Sequence, residues 1–201
     1  MIKEIPPMSI VGPTTEEFRQ ACIRSFEKYK SMENINVSAL QENLVTGGRN
    51  YTMMQFQWDR MPDGRPSAQL QHKNEIYALG KNWVVDDEDI QIIRNHIDQY
   101  FNAYHCFRLL STLPGIIIND VIYKHIFPRV IVPIYNDETE YILFKNGKKH
   151  SLIYKVGNMY LWDCRQAPHH VINHSKTQGR LAANFWIDLS KETKMTCTLP
   201  N

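Results

Sequence analysis

The chain lacks most of what would mark a secreted, membrane-spanning or nucleic-acid-binding protein. Its four cysteines, Cys22, Cys106, Cys164 and Cys197, stand far apart and form no CxxC pair. That argues against both a zinc cluster and a disulfide framework, so the thiols are expected to be reduced and mostly structural. No apolar run approaches the ~18 residues of a membrane span. Met1 to Ile10 has neither the apolar stretch nor the small-residue cleavage site of a signal peptide, which makes the cytoplasm the expected compartment. Charge of one sign is not in excess either. The net charge is +2, and the pI near 8.3 comes from scattered Lys and Arg with only short pairs such as Lys148-Lys149. No basic stripe offers itself to nucleic acid. Finally, no composition break divides the 201 residues, so one domain over 1–201 is expected, with N-terminal helical and strand support in 1–106 and a core in 107–190.

What is present is a change of period. Residues 14–31 read as a helix: Thr14 or Thr15 caps it, Glu16 and Glu17 suit its positive end, and Phe18, Cys22, Ile23 and Phe26 recur at helical spacing. Tyr51 to Trp58 has strand composition, followed by a turn at Met61-Pro62-Asp63-Gly64. A second helix starts from Asp86 or Asp87 and carries one apolar stripe of Ile90, Ile93, Ile97, Tyr100 or Phe101, and Tyr104. From Phe107 onward the pattern is that of strands. Phe107 to Leu110 leads into Leu113-Pro114-Gly115, and short strands follow at Ile116–Ile118, Val130–Tyr135, Tyr141–Phe144, Ser151–Tyr154, Met159–Trp162, His170–Asn173 and Leu181–Leu189. Asn146-Gly147 is a type I′ hairpin signal, and Val156-Gly157-Asn158 and Thr177-Gln178-Gly179 are further turns. Strands so evenly spaced predict a mainly β, α+β fold: a jelly roll, or double-stranded β-helix, with the helices packed outside. Pro133 lacks a donor for the ladder and should mark an edge or a bulge.

The candidate chemistry lies in this last part. His125 and His169 stand at the ends of different strands, and Arg180 begins the final one. Two imidazoles with open positions beside them suit a mononuclear non-haem iron, and a buried guanidinium suits a carboxylate co-substrate. Strand alternation puts His169, Val171 and Asn173 on one side and His170 and Ile172 on the other, without saying which side faces inward. In the last strand Arg180, Ala182, Asn184 and Trp186 share the less apolar face, while Leu181, Ala183, Phe185, Ile187 and Leu189 share the core face. Tyr135, Tyr160 and Trp162 suit either a cavity wall or the core. Lys145, Lys148, Lys149 and His150 flank a hairpin and suit either solvent or an acidic substrate.

The segments Leu113-Pro114-Gly115, Val132-Pro133-Ile134, Met159 to Asp163, Pro168-His169-His170-Val171-Ile172-Asn173 and Arg180-Leu181 together resemble the 2-oxoglutarate/Fe(II)-dependent oxygenases. Within them the likeness is to the aspartyl/asparaginyl β-hydroxylase and proline-hydroxylase branch. The resemblance implies a cupin-like jelly-roll core and an oxidoreductase, a dioxygenase that hydroxylates an amino acid or peptide side chain. It implies Fe(II) held by His125 and His169, and 2-oxoglutarate held by Arg180 with Arg129 as a second basic contact. It also implies oxygen activation with release of succinate. No residue beyond the metal centre is implied as catalytic. One feature departs from the family: a carboxylate expected two residues after the first histidine is replaced by Phe127. The β-hydroxylase branch also lacks that carboxylate, and Asp120 is a further candidate for it. Read without a gap back from Arg129, the ligand position instead falls near Ile122. Two other readings follow from the departure: a metal-free jelly roll serving as a binding or assembly module, and a cupin-type protein with another metal. A small-molecule or peptide partner is expected, with no nucleic acid and no membrane.

Overall fold

The computed structural model describes residues 5–32, 35, 51–57, 82–120 and 127–198. Two helices and ten strands lie within them. β1 (Met8–Pro13), α1 (Glu16–Tyr29) and β2 (Tyr51–Gln55) precede α2 (Glu88–Tyr100). β3 (Tyr104–Thr112), β4 (Ile117–Asp120), β5 (Arg129–Tyr135) and β6 (Thr139–Lys145) follow. β7 (Lys148–Tyr154), β8 (Asn158–Trp162), β9 (His169–Asn173) and β10 (Arg180–Ile187) complete the chain.

All strand pairs are antiparallel and fall into two sheets, ordered β1-β8-β5-β10-β3-β2 and β4-β9-β6-β7. Strands from β3 to β10 cross between the sheets in the manner of a jelly roll, the class expected from the strand spacing. β1 was not anticipated. It carries Gly12 and Pro13, poor strand residues, and owes its existence to pairing with the far-off β8, where it bulges between Ile10 and Gly12. A Cβ at Gly12 would come within 2.7 Å of the Tyr100 ring, so glycine lets the bulge lie against α2 without displacing that ring.

Local chemistry sets the boundaries. Thr15 accepts from the Phe18 amide at 3.1 Å and caps α1, and Asp87 does the same for Ile90 at 2.9 Å on α2. Tyr104, expected on the helical stripe, instead opens β3 because α2 ends at Tyr100. Asn146 and Gly147 have φ of 54° and 72° and close a two-residue hairpin between Lys145 and Lys148, as their type predicts. Pro133 sits in β5, a central strand, opposite a register shift between Leu181 and Ala182; the bulge accommodates its missing donor. The Met61–Gly64 turn lies outside the described residues.

Two cores result. Leu181, Ala183, Phe185 and Ile187 of β10, with Val130 and Val132 of β5, pack against Phe18, Cys22, Ile90, Ile93 and Ile97 of the helices. The opposite faces of the same strands turn inward: Ala182, Ile131 and Tyr160 meet Tyr141, Leu143 and Val171 of the second sheet inside the barrel. The alternation along β10 therefore holds as read, with the helices covering the outer face of the larger sheet. Cys22, Cys106 and Cys164 are buried thiols and Cys197 is exposed, with none in a disulfide.

Candidate anion and metal site in the barrel

Cross-strand register divides the barrel interior into layers. At one end, Asp120, His169, Leu143 and His150 are successive partners across the four-stranded sheet. Across the larger sheet the corresponding row is Trp162, Arg129, Trp186 and His105. The two rows meet, since the Trp162 and His169 rings lie edge to face with centroids 4.6 Å apart. This is the mouth. At the other end Asn173 partners Thr139, which partners Tyr154, and Arg180 partners Thr112. Between the ends stands a column of rings. Tyr141 and Tyr154 stack at 4.1 Å, Tyr154 and Tyr160 at 4.0 Å, and Trp162 meets Tyr141 edge-on at 5.4 Å.

His169 is the inward histidine: it is 1% exposed, while His170 points to the outer face against Phe144, with ring centroids 5.6 Å apart. That resolves what alternation left open. The Nδ1 of His169 lies 2.9 Å from the Ala167 carbonyl oxygen. A carbonyl only accepts, so Nδ1 is the donor in this contact, the kind of outer hydrogen bond that orients a metal-binding imidazole.

Arg180 is 3% exposed, and its Nε and Nη1 have no hydrogen-bond partner. Its guanidinium carbon lies 5.3 Å from the Tyr141 ring. The Tyr141 hydroxyl interacts with Arg180, and elsewhere along the interior the hydroxyls of Tyr154 and Thr139 and the indole nitrogen of Trp162 are buried without hydrogen-bond partners. Burial raises the Tyr141 phenol above its usual range, with the Arg180 charge pulling part of the way back, and burial raises Tyr154 well above its own. Both phenols are therefore neutral and keep a proton to donate. A buried charge without an acceptor is costly, and this interior offers donors far in excess of acceptors. An anion with several oxygens would supply acceptors for these groups.

Asn173, by contrast, is saturated. Its Oδ1 accepts from Asn136 at 2.8 Å and the Ser175 amide at 3.2 Å, and its Nδ2 donates to the carbonyls of Leu113 at 3.2 Å and Gln178 at 3.0 Å. It ties the turns that floor the barrel, a structural task. Arg129 falls in the His169 layer rather than beside Arg180. Its guanidinium carbon is 6.0 Å from the Trp186 ring, which Arg108 approaches to 5.4 Å. Phe127 packs edge-on against His105 at 5.0 Å, so its ring lies at the His169 end of the barrel. His125 and Ile122 lie outside the described residues. Tyr135 flanks the outer core, whereas Tyr160 and Trp162 are interior.

Tyr141, Tyr154 and Thr139 escaped the sequence reading, as did Trp162 as a donor. Only the unpartnered polar atoms reveal them.

Comparison with known proteins gives fold-level likeness. A prolyl-4-hydroxylase from Pseudomonas putida superposes with a TM-score of 0.45 at 11% identity, over 87% of each chain. An oxidoreductase of the 2OG-Fe(II) oxygenase family from Burkholderia pseudomallei gives 0.43 at 10% identity, over 79% of this chain and 78% of that one. Vicilin from hazelnut, Corylus avellana, gives 0.41 at 9% identity, over 78% of this chain and 33% of its own. No family model matches the chain, and no curated protein does. The functional reading rests on the site instead.

The donors around Arg180 fit the carboxylate groups of an oxoacid. For a metal, His169 is the imidazole that the structure turns into the barrel. Among the described residues no three His, Cys, Asp or Glu side chains form a metal-binding group.

Proposed function

We propose that this protein is an Fe(II)- and 2-oxoglutarate-dependent dioxygenase acting on an amino acid or peptide side chain. The observation that carries the reading is the buried guanidinium of Arg180, whose Nε and Nη1 have no hydrogen-bond partner in a barrel interior lined by further unpartnered polar atoms. Such a guanidinium grips a carboxylate through two parallel hydrogen bonds. Tyr141, Tyr154, Thr139 and the Trp162 indole would complete its shell.

His169 would hold the iron through Nε2. His125 remains the second histidine expected from the resemblance, and Asp120, the backbone partner of His169 across β4 and β9, remains the further candidate for the carboxylate. Arg129, in the same layer, is the second basic contact. Bound iron and 2-oxoglutarate would supply the activated oxygen for hydroxylation. The chain's own residues bind and orient: Arg180 fixes the far carboxylate, the Ala167 carbonyl fixes the His169 tautomer, and the aromatic column keeps bulk water from the interior.

The test is succinate release from 2-oxoglutarate in air with Fe(II), run beside His169→Ala. Release above background in the native protein and its loss in the variant support the reading, and equal background in both contradicts it. A second reading draws on Phe127, whose ring is committed to His105. A metal-free binding module would bind 2-oxoglutarate without any help from iron.

A further inference from the structure

The loop between β8 and β9 governs the histidine that follows it. We propose that Asp163, held by Lys145 and Arg165, is a positioning residue that sets the tautomer of His169 by keeping the ring proton on Nδ1. The inference rests on His169 being the working group of the site.

The loop is clamped at both ends onto β6. At its start the Asp163 side chain, 2% exposed, accepts from Arg165 Nε at 2.6 Å and Nη2 at 2.9 Å, and from Lys145 Nζ. Lys145 donates also to the Asp163 carbonyl at 3.1 Å, and the Asp163 amide donates to the Pro7 carbonyl at 2.9 Å. At its end the Pro168 carbonyl accepts from the Phe144 amide at 2.9 Å. Between the clamps the Ala167 amide reaches back to the Cys164 carbonyl at 3.4 Å, and Gln166 has a φ of 52°. A glutamine takes that left-handed conformation when its surroundings impose it.

The consequence falls on one oxygen. With the turn closed in this way the Ala167 carbonyl meets His169 Nδ1 at 2.9 Å and keeps the proton there. A neutral imidazole in water prefers its proton on Nε2, so the native tautomer is the one the loop enforces. The partner is a backbone atom, and no side chain at position 167 supplies it; the shape of the loop does, and Asp163 holds that shape. Burial works to raise the Asp163 carboxyl, but the hydrogen bonds from Arg165 and Lys145 outweigh it and keep the group below the usual carboxylate range. The clamp is therefore a charged one at neutral pH.

The experiment reads the imidazole directly, in metal-free protein labelled with 15N-histidine. The His169 resonances are assigned by their loss in His169→Ala. The native protein should show a protonated Nδ1 and an unprotonated Nε2. In Asp163→Asn, and in the milder Arg165→Gln, the two nitrogens should move toward averaged shifts. Co(II) affinity should fall in parallel by about 10- to 100-fold, the usual effect of losing an outer partner of a metal-binding histidine. Should Asp163→Asn not fold, Arg165→Gln decides alone. Native tautomer shifts in a folded Arg165→Gln protein overturn the proposal. A native protein that shows the Nδ1–H tautomer, loses it in the variants and yet binds no Co(II) upholds the positioning role while removing the oxygenase reading.

Discussion

Replacing Arg180 with Met should make the protein more stable and at the same time deprive it of its ligand. The guanidinium is 3% exposed and two of its nitrogens have no acceptor. An uncompensated buried charge costs several kcal/mol, and exchanging buried ions for apolar groups of similar volume often stabilises by about 1–4 kcal/mol. Against this stands the contact with the Tyr141 ring at 5.3 Å. Such a desolvated cation–π pair contributes about 2 kcal/mol. The net expectation is a gain of up to about 2 kcal/mol, or up to roughly 8 °C in Tm for a chain of this size. Binding should move the other way. Removing one partner of a buried charged pair costs about 2–5 kcal/mol, which weakens 2-oxoglutarate affinity by about 30-fold or more. Urea melts without ligand give the first quantity, and calorimetric titration with 2-oxoglutarate gives the second. A variant destabilised by more than about 1 kcal/mol, with affinity unchanged, would refute the reasoning, because Arg180 would then be part of the scaffold.

Three further outcomes are expected. Glu192 accepts from the amides of Asn102 at 3.0 Å, Ala103 at 2.9 Å, Lys194 at 2.8 Å and Met195 at 3.2 Å; Glu192→Ala should cost about 2 kcal/mol or more in urea melts, and a loss under about 0.5 kcal/mol contradicts this. Burial lowers the His96 imidazole below its ordinary 6.5. The unfolded chain therefore binds the proton more readily, so stability is full above about pH 6.5 and falls as the solution is acidified toward the folded value. His96→Phe should flatten that slope, and an unchanged slope assigns it to other groups. At Gly179 a Cβ would come within 2.8 Å of the Thr112 carbonyl oxygen. Gly179→Ala should therefore displace the start of β10 and weaken 2-oxoglutarate binding, whereas Gly147→Ala, at a φ of 72° in the far hairpin, should reduce stability alone. Equal affinity in both variants would contradict it.

The parts of this fold that depend on short-range chemistry were legible in the sequence. The Asn146-Gly147 turn, the Thr15 and Asp87 caps and the two faces of β10 follow from dihedral preference, capping and alternation, which act over a few residues. β1 was not legible, because its partner β8 lies far along the chain and its own Gly12 and Pro13 argue against a strand. In the site, Arg180 stood out as the polar residue on a strand with one apolar face, and the structure puts it in the interior. His169 could be told from His170 only once the sheet showed which side is inside. Tyr154 and Trp162 have the composition of core residues; what distinguishes them is a donor without an acceptor, a property of the surroundings and not of the residue. Asp163 was visible as an acid ending a strand, while its grip on the loop before His169 required the third dimension.

The central claim is that iron and 2-oxoglutarate meet inside this barrel. Its most direct test is the anaerobic visible spectrum with Fe(II) and 2-oxoglutarate added together. The account predicts a charge-transfer band of the chelate in the native protein, absent in His169→Ala and in Arg180→Met at concentrations that saturate the native protein. A native protein with no band, or a band that survives His169→Ala, would contradict it.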